Sequence, residues 1–149
     1  LAALIEPDAR SVIEFGAWTM ALRERVPRGC MYTPSDVYDR GSGTFVCDLN
    51  AKTLPDFPPH DVAVFGGVLE YVEDLPRLLG KLSNAVTTIL ASYAPAEGRL
   101  ANPAVRGENN WVNAYTTPQL LDLFSRAGFT YVKVVGNWGK QILIRAERW

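Results

Sequence analysis

A chain of 149 residues with 48% hydrophobic and 21% charged side chains has the composition of a folded globular domain and is long enough to bury a real core. Its 15 basic and 16 acidic residues leave a formal net charge of −1, which excludes the concentrated positive field that nucleic acids or anionic membranes attract. No apolar run approaches the ~18 residues of a membrane span, and two isolated cysteines with a single histidine argue against a disulfide framework or a metal site.

A cytoplasmic location is the default expectation. Because the chain begins at Leu1 rather than methionine, it is also read as one domain of a longer polypeptide.

In chain order, Ala2 to Ala9 predicts a short helical lead-in stopped by Pro7, and Val12 to Phe15 a first strand. Thr19 to Val26 is expected to be the following helix, terminated by Pro27. Cys30 to Val37 reads as a second strand ending at Asp36, and Thr44 to Asp48 as a third. The intervening residues 38–43 are too few for the helix that usually joins parallel strands. Val62 to Phe65 is continuously apolar, as a strand buried on both faces would be.

Leu75, Leu78, Leu79 and Leu82 then recur at helical spacing behind Asp74, a ready cap. Val86 to Ser92 predicts a fifth strand, and Tyr93 to Ala114 a long polar loop. Thr117-Pro118 opens another helix, with Thr117 as cap, and Gly128 closes it. Around Gly136-Asn137-Trp138-Gly139, the runs Thr130 to Val135 and Gln141 to Ala146 form an antiparallel hairpin. The reading is a single α/β domain over residues 1–149, a mostly parallel twisted sheet with a C-terminal antiparallel hairpin.

Val12 to Leu22 carries the chemistry this architecture makes available. A parallel strand ends in a turn that glycine makes easily, and a following helix would offer unpaired N–H groups to a ligand in the crevice above the sheet. Glu14 stands near the strand end and Gly16 at the turn. Asp36 lies 20 residues after Gly16, a spacing at which a carboxylate reaches ribose hydroxyls. Each acid also has a plainer role as a turn or loop cap, Asp48 through the amide of Asn50.

Four pieces in this order, Val12-Ile-Glu-Phe-Gly16, Asp36, Asp48-Leu-Asn50 and Asp61 to Val72, with Arg126-Ala-Gly-Phe129 before the hairpin, resemble a class I S-adenosylmethionine-dependent methyltransferase of Rossmann-like fold. The resemblance implies S-adenosylmethionine as cofactor. It places Glu14, Gly16, Ala17 and Trp18 beside the methionine part, Asp36 at the ribose, Asp48 and Leu49 at the adenine, and Gly66 and Gly67, with Val68, under the methyl group. The family turn usually reads Gly-x-Gly, whereas this chain has Gly16-Ala17-Trp18, so the Trp18 indole is either a core or lid aromatic or a plug.

Substrate chemistry belongs at the carboxyl ends of the strands. Glu70 is the candidate catalytic base there, with Tyr71 and Tyr93 as neighbours and Asn109, Trp111 and Asn113 as a lid; His60 and Asp61 fall at the opposite end. The expected activity is methylation of a small molecule or sugar. A catalytically degenerate binding or interaction module is the alternative, and a nicotinamide-dependent dehydrogenase a third reading. The thin cover near Tyr38 leaves room for a homo-oligomer contact.

Overall fold

The computed structural model describes residues 1–41 and 43–149; Ser42, in the connection predicted over 38–43, lies outside them. Seven strands form one sheet: β1 (Ser11–Phe15), β2 (Met31–Asp36), β3 (Phe45–Val46), β4 (His60–Phe65), β5 (Val86–Tyr93), β6 (Tyr131–Trp138) and β7 (Gln141–Glu147). Their spatial order is β3-β2-β1-β4-β5-β7-β6. The first five run parallel, while β7 pairs antiparallel with both β5 and β6. The order reverses between β1 and β4, which leaves a crevice beyond their carboxyl ends.

Among the described residues, three α-helices accompany the sheet: α1 (Leu75–Leu82), α2 (Pro103–Glu108) and α3 (Thr117–Arg126). Helix α1 starts where Asp74 accepts from the Arg77 N–H, and it turns four fully buried leucines onto the sheet. Each such leucine contributes roughly 1.5–3 kcal/mol of burial. Leu120 and Phe124 of α3 join the same core, which is built on Ile13, Phe15, Ala63 and Phe65. Thr116, one residue earlier than expected, caps α3 in a reciprocal box with Gln119, and Pro118 sits in the first turn. None of the described helices is long and apolar enough to cross a membrane.

The opposite face of the sheet is covered differently. Val12, Val62, Val64 and Leu90 pack there against Ile5 and Leu22, which come from irregular segments. The lead-in reduces to one 3-10 turn over Ala2–Leu4. The α-helix expected over Thr19 to Val26 does not form, and only a 3-10 turn, Arg23–Arg25, is present. Trp18 and Met20 both take positive φ, 37° and 56°, and two left-handed residues so close together cannot propagate a right-handed helix.

Two further corrections concern connections. The stretch Tyr93 to Ala114 is not wholly irregular, since it contains a 3-10 turn, Gly98–Ala101, and α2, whose cap is the Asn102 side chain. Strand β3 has only two residues. Between β2 and β3 no helix occurs among the described residues, as the short spacing predicted.

Candidate functional site

At the carboxyl ends of β1, β2 and β3 the chain turns away from the sheet and leaves a cavity of about 280 Å³. Gly16, Asp36, Asp48 and Leu49 line it, together with Ser35, Val68 and Tyr71. Gly16 takes φ 69°, and a Cβ there would stand 2.6 Å from Val68 Cγ2. A Cβ at position 16 would therefore have to displace the Val68 side chain, in a backbone conformation that favours glycine.

Asp36 is buried at the end of β2. Its Oδ2 accepts from the Trp18 N–H at 3.1 Å, and its Oδ1 from the Tyr38 N–H and the Arg40 guanidinium, each at 3.2 Å. Burial pushes its carboxyl pKa up, but the Tyr38 N–H, Arg40 and the Trp18 N–H together hold it below the ordinary value. Ser35, beside it, is a buried residue whose hydroxyl has no hydrogen-bond partner among the described residues. A buried hydroxyl left without a partner beside a cavity has unspent hydrogen-bonding capacity.

On the other wall, Asp48 Oδ1 accepts from the Asn50 N–H at 2.9 Å, the turn bond its sequence also allowed. The Asn50 side chain donates to the Tyr71 carbonyl and accepts from the Glu73 N–H. These bonds clamp the loop after β3 to the 3-10 turn Leu69–Tyr71 and fix the width of the cavity.

Trp18 does not fill this space. It is among the most exposed of the large hydrophobic residues, at 70%. Glycine is the residue that takes the left-handed φ of position 18 without strain, so the backbone keeps a glycine-type turn while the indole points to solvent. Ala17 is buried beneath the turn, and its N–H bonds the Ser35 carbonyl.

Glu14 lines neither this cavity nor the next. It faces the sheet side covered by irregular segments and accepts a hydrogen bond from the Tyr32 hydroxyl. Burial raises its pKa, and that bond only partly offsets the shift.

Gly66 and Gly67 line a second, larger cavity of about 600 Å³, with Arg25, Ser92, Asn137, Trp138 and Gln141 around it. Ser92 Oγ accepts from the Gly67 N–H at 2.9 Å. Glu70 is completely buried behind this cavity's wall. Its Oε1 accepts from the Ala94 N–H at 2.8 Å and from the Gln141 amide at 2.9 Å, whereas Oε2 has no partner among the described residues.

Of the three residues expected to act as a lid, Asn113 is tied to the neighbouring elements. Asn113 bonds the carbonyls of Leu69 and Val72 and the Tyr93 hydroxyl, and the Val112 N–H bonds the Glu70 carbonyl. Arg106 is buried and donates to the carbonyls of Ala94, Leu100 and Asn113. These bonds tie the loop around Asn113 to β5 and to the 3-10 turn Leu69–Tyr71. At the far end of the sheet, His60 is held by Thr33 and the Pro58 carbonyl, and Asp61 accepts from the N–H groups of Arg10 and Ser11.

Gly16, Asp36, Asp48 and Leu49 thus meet in one cavity, and Gly66 and Gly67 in the next. Sequence reasoning missed the Ser35 hydroxyl and the contribution of Asn137, Trp138 and Gln141. Only the hairpin's return along β5 brings those three residues to the crevice, and no local pattern announces it.

No family model and no curated protein matches this sequence. Solved structures do. Human N-acetylserotonin methyltransferase in complex with S-adenosylmethionine matches with TM-score 0.69 at 16% identity, over 95% of this chain and 48% of its own. PigF with S-adenosylhomocysteine gives TM-score 0.72 at 16% identity, covering 99% and 59%. An S-adenosylmethionine-dependent methyltransferase from Mesorhizobium loti gives 0.67 at 18% identity, covering 94% and 91%. The chain spans about half the length of several of the structures it matches. The order of the strands, the crevice between β1 and β4 and the antiparallel β7 agree with these neighbours, and the chain has the fold of the class I S-adenosylmethionine-dependent methyltransferases.

Proposed function

We propose that this chain binds S-adenosylmethionine across the carboxyl ends of β1, β2 and β4 and transfers its methyl group to a small molecule. The observation that carries the reading is the cavity in which Gly16, Asp36, Asp48 and Leu49 converge around the unpartnered Ser35 hydroxyl. That donor and acceptor set fits a nucleoside. Asp36 accepts from ribose hydroxyls, Ser35 supplies a free hydroxyl, and the Leu49 and Val68 side chains offer apolar contact to a base.

When bound, the cofactor supplies an electrophilic methyl group on a sulfonium. The protein's task is to hold an acceptor oxygen or nitrogen in line with that methyl and to exclude water, and positioning alone supplies much of such a rate enhancement. Gly66 and Gly67 keep the floor of the larger cavity low enough for the two groups to meet. Glu70 reaches this cavity through Gln141; serving as base requires the Gln141 amide to leave Oε1.

Isothermal titration with S-adenosylmethionine and S-adenosylhomocysteine tests the reading. Saturable binding of both is expected; no heat and no thermal shift at millimolar ligand would refute it.

A second reading, a binding module descended from such an enzyme, draws on one observation. The α-helix whose N–H groups usually meet the cofactor is replaced by the irregular stretch from Trp18 to Val26. Failure of the titration, with the fold intact by circular dichroism, favours it.

A further inference from the structure

The larger cavity has a neighbour across the hairpin. A second hollow of about 490 Å³ lies beyond it, lined by Trp111 and Lys140, and Trp138 and Gln141 belong to both. The methionine portion of the cofactor proposed above would occupy only a fraction of this combined space. The remainder has a consistent chemistry that the methyl-transfer reading does not use.

Its charges are all of one sign. Arg25 lines one hollow and Lys140 the other, both are exposed, and neither has a carboxylate partner among the described residues. No aspartate or glutamate lines either hollow, although acids line three further cavities and the whole chain carries a net charge of −1. The nearby acid, Glu70, is wholly buried and bonded to Gln141. Cations in a concave lining without acids raise the local concentration of anions.

Its apolar surface is aromatic. Trp138 stands between the hollows with 73% of its surface exposed, a poor use of an indole unless something flat covers it. Trp111 faces the outer hollow and is backed by the Arg106 guanidinium, 5.0 Å from its ring centroid.

We propose that the paired hollows are the acceptor site and that they select a planar aromatic molecule bearing a carboxylate. Its ring packs on Trp138 and its anionic group is met by Arg25 or Lys140. The assignment rests on the methyltransferase reading for the word acceptor, but binding of such an acid stands independently of it.

The test uses the full chain with para-hydroxybenzoate and its neutral counterpart para-hydroxybenzamide, followed by ligand-detected NMR and calorimetry, each with and without S-adenosylhomocysteine. The acid is expected to bind at least about tenfold more tightly than the amide. Arg25→Gln combined with Lys140→Gln should abolish that preference, and Trp138→Ala should weaken both probes, with S-adenosylhomocysteine affinity unchanged in every variant. Equal affinity for acid and amide, or no binding of either, overturns the proposal. So does a loss of S-adenosylhomocysteine affinity on Arg25→Gln without loss of the acid, since the guanidinium would then serve the cofactor's own carboxylate. If the acid binds but S-adenosylhomocysteine does not, the methyltransferase reading fails and the anion site stands.

Discussion

The backbone N–H of Trp18 donates to Asp36 Oδ2 at 3.1 Å, joining the turn after β1 to the end of β2. The bond needs only the main chain of residue 18, while the side chain points outward at 70% exposure. Positive φ costs a bulky L-residue about 1–2 kcal/mol, whereas glycine's extra freedom in the unfolded chain costs roughly 0.5–1 kcal/mol. Trp18→Gly is therefore expected to leave stability unchanged or raise it by up to about 1 kcal/mol in urea titrations. S-Adenosylhomocysteine affinity should be no weaker than the parent's. A loss exceeding about 2 kcal/mol would mean that the indole packs against something essential.

Gly16 gives the opposite result. Gly16→Ala places a Cβ 2.6 Å from Val68 Cγ2 at a φ of 69°. Overpacking costs roughly 1–3 kcal/mol, and the left-handed backbone adds to it. Destabilisation of about 2–4 kcal/mol is expected, together with loss of cofactor affinity as the two loops are forced apart. Val68→Ala in the same chain removes the clashing methyl and should restore part of the stability, a coupling read from a double-mutant cycle.

These two positions mark how far the sequence was legible. Hydrophobic periodicity and glycine spacing were enough to place the strands, α1 and the hairpin, because such patterns report directly on which face is buried. Periodicity did not select Gly16, Asp36, Asp48 and Leu49 as a set; the resemblance to the methyltransferases put them beside one ligand, and they line one cavity. The segment from Trp18 to Val26 misled, because its composition suits a helix while its backbone is bent by left-handed residues whose types do not advertise that conformation. The wall made by Asn137, Trp138 and Gln141 was invisible for another reason. It depends on antiparallel registration of β7 against β5, a non-local pairing.

Ser35 separates ligand recognition from stability. Its buried hydroxyl makes no hydrogen bond among the described residues, so Ser35→Ala removes an unsatisfied group and opens little space. Unfolding free energy is expected to stay constant or rise by up to about 1 kcal/mol. If the hydroxyl serves a nucleoside, affinity for S-adenosylhomocysteine should fall about three- to tenfold in calorimetry. An unchanged affinity would remove Ser35 from the site.

Asp36 and Glu14 predict pH dependences of opposite sign. For Asp36, burial raises the pKa, but the Tyr38 N–H, Arg40 and the Trp18 N–H more than compensate, so the folded value lies below the unfolded one of about 3.9. Its contribution to stability is therefore full above that pH and is lost as the pH falls through the folded value. For Glu14, burial dominates over the Tyr32 bond and the folded value lies above the unfolded one of about 4.3. Its contribution is present below that pH and disappears as the pH rises through the folded value. Urea titrations across the acid range should show that Asp36→Asn weakens the protein at neutral pH, with a deficit that shrinks on acidification. Glu14→Gln should do the reverse: it keeps an oxygen for the Tyr32 hydroxyl, abolishes the cost of a buried charge, and raises stability at neutral pH with little change in acid. Parallel shifts of both variants at every pH would mean that neither carboxylate changes its proton affinity on folding.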